Sequence, residues 1–163
     1  QSIVVSDVHI AHDGYLTETG RRKRFDRNIA LMMRDRAQYP DRLLGKFLMI
    51  RDWVHLARYE LERNGRRLTA AAVAYLESAV EAYRKDFLGR THMMAMDGLA
   101  YYNEALQHLN RGFETQATLK IGGLDGMPHD FTYSGRVASP EDLQTMLGGA
   151  SRDLTEVWKG EYV

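Results

Sequence analysis

The densest group of residues able to bind a metal ion lies near the start of the chain, at Asp7, His9, His12 and Asp13. If this segment is an extended strand, Asp7 and His9 point to one face, whereas His9 and His12 point to opposite faces. A chelate formed by the two histidines is therefore disfavoured. His12, where the strand gives way to a turn, is the better candidate, because imidazole is a common metal ligand and a turn residue can meet ligands from elsewhere. The alternative is a histidine that only holds the turn by hydrogen bonds.

A second group is the basic run Arg21-Arg22-Lys23-Arg24, with Arg27 close behind it. The run falls in the first turns of a predicted helix, where the helix dipole favours negative side chains. Cations beside free backbone N–H groups become favourable when an anion binds, and a helix N-terminus is a ready phosphate site. The alternative is a solvated charged face, relieved in part by Glu18 and Asp26, since each charge involves only ~1 kcal/mol or less.

The other polar residues are weaker candidates for a metal-binding or catalytic site. His55, His92 and His108 lie on predicted helices without a carboxylate or histidine at a convincing chelating spacing, so we expect them to be packing or surface residues. The polar loop around Asp125 and Asp130 is rich in ordinary turn formers. No G-x-S-x-G motif places a serine nucleophile.

The elements that must position these residues are mainly helices. A short β-branched strand, from Ile3 to Ile10, is followed by apolar residues at helical spacing. The spacing predicts helices over 21–39, from a cap at Asp41 to Asn64, from a cap at Thr69 to Gly89, and over 91–110. Their short connections predict antiparallel neighbours.

Each of the four predicted helices has an apolar face. In the first, the face comprises Phe25, Ile29, Met32 and Tyr39. In the second, which we expect to lie in the middle of the stack, it comprises Leu43, Phe47, Ile50, Val54, Ala57 and Leu61.

The period of the pattern changes after Gly112. Alternating apolar residues around Leu119 and Tyr133 predict two strands joined by a Gly-rich loop. Ser139 then precedes Pro140 and two acids, which is typical of a helix start, and this short helix is expected to break at Gly148 and resume over 151–158. The predicted fold is mainly α, with stacked antiparallel helical hairpins similar to tetratricopeptide repeats, a short N-terminal strand, and a small C-terminal β-hairpin plus helix.

Composition excludes several classes of protein. The chain has 163 residues, 22 Lys plus Arg against 22 Asp plus Glu, and no Cys. No apolar run reaches the ~20 residues of a membrane span, and the balanced charge argues against a broad nucleic-acid interface. The absence of Cys rules out thiol chemistry and fits a reducing compartment, so we expect a cytoplasmic protein. From the balanced charge we expect no nucleic-acid partner.

The order of residues at the N-terminus resembles a known family. It runs from Val8-His9-Ile10-Ala11-His12-Asp13-Gly14-Tyr15 through Lys23 and Arg27-Asn28 to Met32-Met33 and Tyr39-Pro40-Asp41. This order resembles the C-terminal end of the catalytic domain in family 2 glycosyltransferases, where an I-x-H-x-G-Y segment leads into an R-N-containing helix and then tetratricopeptide-like helices. The resemblance covers about 35 residues closely.

The resemblance implies a transferase that uses a nucleotide-sugar donor, with a Rossmann-like sheet and a divalent metal, Mn²⁺ or Mg²⁺, bridging the diphosphate. It implies that His12 lies near the metal and that Lys23, Arg24 and Arg27 lie near the diphosphate. No nucleotide-binding strand–helix units precede His12 here. We therefore expect the chain to be a piece of a transferase that is inactive alone and binds its donor and metal only in the full-length protein. We expect it to divide into a terminal strand and turn of the catalytic domain at 1–18, a helical-hairpin module at 19–112 and a small α+β extension at 113–163.

The main alternative is a non-catalytic interaction module, in which stacked helical hairpins offer a groove to a protein partner or to a second copy of the chain. An RNA-binding protein is the weakest alternative, because the charge is balanced.

Overall fold

The computed structural model describes residues 17–90, 93–122 and 127–148. These ranges contain five helices and two strands: α1 Glu18–Gln38, α2 Leu43–Arg63, α3 Ala70–Asp86, α4 Met93–Leu109, β1 Phe113–Gly122, β2 Pro128–Val137 and α5 Pro140–Gly148. The predicted mainly α fold with a small β-hairpin and a C-terminal helix is confirmed. The predicted strand at 3–10 and the helix at 151–158 lie outside the described residues.

Hydroxyl side chains cap the N-termini of α3 and α5, as the sequence predicts. The Thr69 hydroxyl accepts a hydrogen bond from the Ala72 N–H at 3.1 Å, and the Ser139 hydroxyl accepts one from the Asp142 N–H at 3.2 Å. The predicted cap at Asp41 is wrong. A turn closed by the Arg42 N–H on the Tyr39 carbonyl contains Asp41, so α2 begins after Arg42, which makes no side-chain capping bond.

Helix α2 lies at the centre of the fold, as expected, and contacts α1, α3 and α4. Its predicted apolar face is buried at Leu43, Ile50, Val54, Ala57 and Leu61 and partly buried at Phe47. The core also includes large side chains of α3, of its C-cap residue and of α4, among them Leu76, Tyr83, Phe87, Tyr102 and Leu106. Burial of this apolar surface is the main stabilising contribution to the fold.

Helix α1 is more weakly anchored. Phe25 packs with Leu56 and Tyr59 of α2 in a second, smaller cluster, and Phe25 is the only buried residue of α1. Tyr39, predicted to belong to the apolar face, is 50% exposed because the helix ends at Gln38 and Tyr39 is its C-cap residue. The C-terminal half of α1 therefore contributes little to the core.

The two strands form an antiparallel hairpin, and β2 packs against α4. Opposite residues share a face, and the pairs Leu119 with Phe131 and Ala117 with Tyr133 lie on the face that joins the core. Helix α5 contacts both strands. In the described ranges, no helix is both long enough and apolar enough to cross a membrane.

Candidate functional site

The basic run of α1 is divided between two sides of the helix. Arg21 and Arg22 turn towards acids near the end of α2. The Arg21 Nη1 atom lies 3.1 Å from the Glu62 carboxylate, and the Arg22 Nη1 atom lies 3.4 Å from the Glu60 carboxylate. Arg22 also pairs with Asp26 at 3.0 Å. These two cations therefore help to hold α1 on α2.

Lys23 and Arg27 are exposed and lie one helical turn apart, so they share a face of α1. Within the residues that the structure describes, neither makes an ion pair with a carboxylate. Arg27 makes one long contact, from its Nη2 atom to the Asn28 side-chain oxygen at 3.5 Å. We call Lys23 and Arg27 the outer cationic face. Its charges are accessible to an anion from solvent.

Arg24 does not join the outer cationic face. Its side chain is half-buried, its guanidinium carbon lies 5.1 Å from the centre of the Phe25 ring, and its charge acts on His55 of α2. The structure thus brings together two of the three cations assigned to the diphosphate and places the third beside His55.

The predicted metal ligand, His12, lies outside the described residues. Among the residues with described positions, no three His, Asp or Glu side chains are grouped so that they could hold a metal ion. His108, expected to be a packing or surface residue, is at the surface of α4, with its Nε2 atom 3.6 Å from Glu104. His92 is not described.

An open cavity of about 180 Å³ lies between α1 and α2. We call it the α1–α2 cavity; it is lined by Arg21, Phe25, His55, Arg58, Tyr59 and Glu62. Sequence reasoning missed it. A signal was present, because Arg51, His55, Arg58 and Glu62 recur at intervals of four and three residues and so form a polar stripe along α2.

The cavity is positively polarised at His55. Burial lowers the pKa of His55, and the charges of Arg58, Arg51 and Arg24 lower it further, against one opposing carboxylate, Asp52. The imidazole is therefore neutral at pH 7, because its ordinary pKa is already near 6.5. Its ring stands edge-on to Tyr101 of α4, with ring centres 5.9 Å apart.

The Arg58 side chain is held in place by Glu104 of α4. Both carboxylate oxygens accept hydrogen bonds from the guanidinium, through Nε and Nη2. Burial alone would raise the pKa of Glu104, but the hydrogen bonds and charge of Arg58 outweigh burial and lower it. Arg58 is thus a fixed cation at the rim of the cavity.

A larger open cavity, of about 320 Å³, lies between α4 and β2. Its lining is largely apolar and includes Leu99, Phe131 and Tyr133, with Asn103 as a polar member. The Asn103 side-chain oxygen accepts a hydrogen bond from the Arg136 N–H at 2.7 Å. No charged side chain lines this cavity, so it does not suit a diphosphate.

No family model, curated protein or solved structure matches the sequence significantly. Functional inference therefore depends on the residues and the geometry described above.

Proposed function

We propose that this chain is part of a glycosyltransferase that uses a nucleotide-sugar donor. In this proposal Lys23 and Arg27, two of the three cations that the sequence assigns to the diphosphate, bind it, and His12 binds a divalent metal, Mn²⁺ or Mg²⁺, beside it. The observation that carries the proposal is the outer cationic face, which has no carboxylate partner among the described residues although the neighbouring Arg21 and Arg22 are both paired.

The chemistry of sugar transfer explains why such cations are useful. The sugar departs from a nucleoside diphosphate, which gains negative charge as the bond breaks, and fixed cations stabilise that charge. A bound divalent metal would add to this stabilisation. Lys23 and Arg27 lie in the second and third turns of α1, and the helix N-cap Thr17 follows His12 closely in sequence. This order favours a shared site for the metal and the diphosphate.

The absence of Cys supports a cytoplasmic location as part of the same proposal. Because in this proposal the chain supplies only part of the donor site, we expect the 163-residue chain alone to bind uridine diphosphate weakly or not at all, even with Mn²⁺. Isothermal titration calorimetry of this chain measures that baseline.

The test uses the protein encoded by the whole reading frame. With Mn²⁺ present, the double variant Lys23→Ala/Arg27→Ala is expected to bind uridine diphosphate about tenfold or more weakly, since charge-assisted hydrogen bonds contribute ~1.5 kcal/mol or more each before solvent screening. Hydrolysis of uridine-diphosphate sugars by the same variants measures the effect on catalysis.

Arg67→Ala is the matched control, because Arg67 is an exposed arginine in the connection between α2 and α3. It is expected to leave binding unchanged. Equal affinities for the double variant and the unmodified protein would refute the role of the outer cationic face.

The second candidate function, a helical interaction module, has its own supporting observation. Leu31 and Met33 are 48% and 63% exposed in the C-terminal half of α1. If this half binds a second copy of the chain, Met33→Glu is expected to dissociate the dimer in sedimentation-velocity runs, whereas Met127→Glu, at a comparably exposed position outside α1, is not. A monomeric unmodified chain would exclude self-association.

A further inference from the structure

We infer that the α1–α2 cavity is a binding site for a small oxyanion attached to an apolar group. Arg21, His55 and Arg58 would bind the oxyanion, and the rings of Phe25 and Tyr59 would contact the apolar part. This site is separate from the outer cationic face, so the inference does not depend on the proposed function.

Each of the two arginines that line the cavity has a terminal guanidinium nitrogen that donates to no acceptor among the described residues. Arg58 uses Nε and Nη2 for Glu104, and Arg21 uses Nη1 for Glu62. Among the described residues, no acceptor pairs with Arg58 Nη1 or Arg21 Nη2. A guanidinium that is held by one carboxylate is already oriented, so less side-chain entropy is lost when a second anion binds.

The charges that act on His55 favour an anion beside its ring, and Glu62, the carboxylate that lines the cavity, is paired with Arg21. Three arginines act on His55 with the same sign and only Asp52 opposes them. An oxyanion placed beside the imidazole would relieve this accumulation of positive charge and would favour the protonated ring.

The walls of the cavity favour an apolar substituent on the anion. The ring centres of Phe25 and Tyr59 lie 6.0 Å apart, and the guanidinium carbon of Arg21 lies 5.7 Å from the centre of the Tyr59 ring. The volume of about 180 Å³ is below the ~300 Å³ of ordinary ligand pockets, so the ligand, or the part of it that enters, is about the size of a substituted benzene ring.

Titration of the 163-residue chain with benzenesulfonate, followed by NMR, tests the inference. We expect saturable shifts of the His55 ring and Arg58 Nε–H signals with a Kd on the order of 1 mM. His55→Phe keeps a ring against Tyr101 but removes the donor, and is expected to weaken binding about 5–10-fold. Arg21→Ala, a second variant, is expected to weaken binding by a similar factor. His129→Phe, which changes a histidine of β2, is the matched control and is expected to leave binding unchanged.

The pH dependence of benzenesulfonate affinity distinguishes the contribution of His55 from the contributions of its neighbours. Benzenesulfonate keeps its charge, so its affinity is expected to rise as pH falls from about 8 to about 5.5, because the bound anion favours the imidazolium. The other charged and titratable groups around His55 are Arg21 and Arg24 from α1, Arg51, Asp52, Arg58 and Glu62 on α2, and Tyr101 from α4. A pH dependence that persists in His55→Phe would overturn the role of His55.

Three further ligands test whether the site requires both a negative charge and an aromatic ring. Phenyl phosphate is expected to bind at least as tightly as benzenesulfonate, inorganic sulfate about tenfold more weakly, and benzyl alcohol without measurable shifts, because the site needs both the charge and the ring. Sulfate binding as tightly as benzenesulfonate would overturn the apolar part of the inference. No shift at His55 or Arg58 with any anion would overturn the whole of it.

Discussion

Gly112→Ala is expected to lower the free energy of unfolding by about 3–5 kcal/mol, the sum of a left-handed backbone conformation and of overpacking against the neighbouring strand. Gly112 links α4 to β1 with a φ of +72°, and a Cβ atom there would lie 2.2 Å from the Val137 carbonyl oxygen. That oxygen cannot easily move, because Val137 pairs with Phe113 and the next residue, Ala138, donates its N–H to the Tyr102 hydroxyl at 2.9 Å. Urea unfolding followed by circular dichroism measures the loss.

Gly65→Ala separates the two contributions. Gly65 has a φ of +60°, but no atom lies within 4 Å of the position that a Cβ would occupy. This variant retains the cost of the left-handed conformation without the clash and is expected to lose only about 1–2 kcal/mol. Equal losses in the two variants would show that the hairpin moves aside and that the contact with Val137 does not constrain it.

Arg84→Ala is expected to lower the free energy of unfolding by about 3 kcal/mol, because it leaves a buried carboxylate without its cation. Asp142 of α5 is 5% exposed, and its two oxygens lie 2.7 Å from Arg84 Nε and 3.0 Å from Arg84 Nη2. After the change, the Tyr102 hydroxyl, at 3.1 Å, is the remaining side-chain donor to the carboxylate in the described part of the chain. Denaturant unfolding measures this loss also.

Two further variants show whether the buried charge is the cause. Arg111→Ala removes an arginine from an exposed ion pair with Glu77, at 2.6 Å, and is expected to cost at most about 1 kcal/mol. Adding Asp142→Asn to Arg84→Ala removes the uncompensated charge and is expected to recover part of the stability. If Arg84→Ala costs no more than Arg111→Ala, the pair contributes little to the docking of α5.

Much of the fold was predictable because its elements are locally encoded. Apolar residues such as Ile50, Val54 and Ala57 recur at helical spacing and are buried as expected. Thr69 and Ser139 begin helices because their hydroxyls reach backbone N–H groups within one turn. Asp41 was misassigned because a capping residue and a turn residue have the same composition, and only the backbone path distinguishes them. The domain division stays a prediction.

The candidate sites were less predictable, since they depend on contacts between helices. Composition marked the whole basic run of α1 as a possible anion site, but it could not say which cations the acids of α2 would neutralise. That selection leaves Lys23 and Arg27 facing solvent and takes Arg21 into a pair with Glu62. The spacing of His55 from other metal-ligating residues predicts only a packing or surface role. Its neighbours in the structure come from α1 and α4 as well as from α2, and spacing within one helix cannot show contacts of this kind.

The amino-acid sequence by itself determined approximately where the five helices and two strands of the described residues lie, which faces are apolar, and that a dense group of cations occurs in the first half of α1. Only the tertiary structure decided which of these cations are paired and that Arg21, His55 and Arg58 surround one cavity. The physical reason is the separation along the sequence over which each interaction acts. Helix spacing and capping involve residues a few positions apart, whereas charge neutralisation and cavity formation depend on side chains from helices that meet only when the chain is folded.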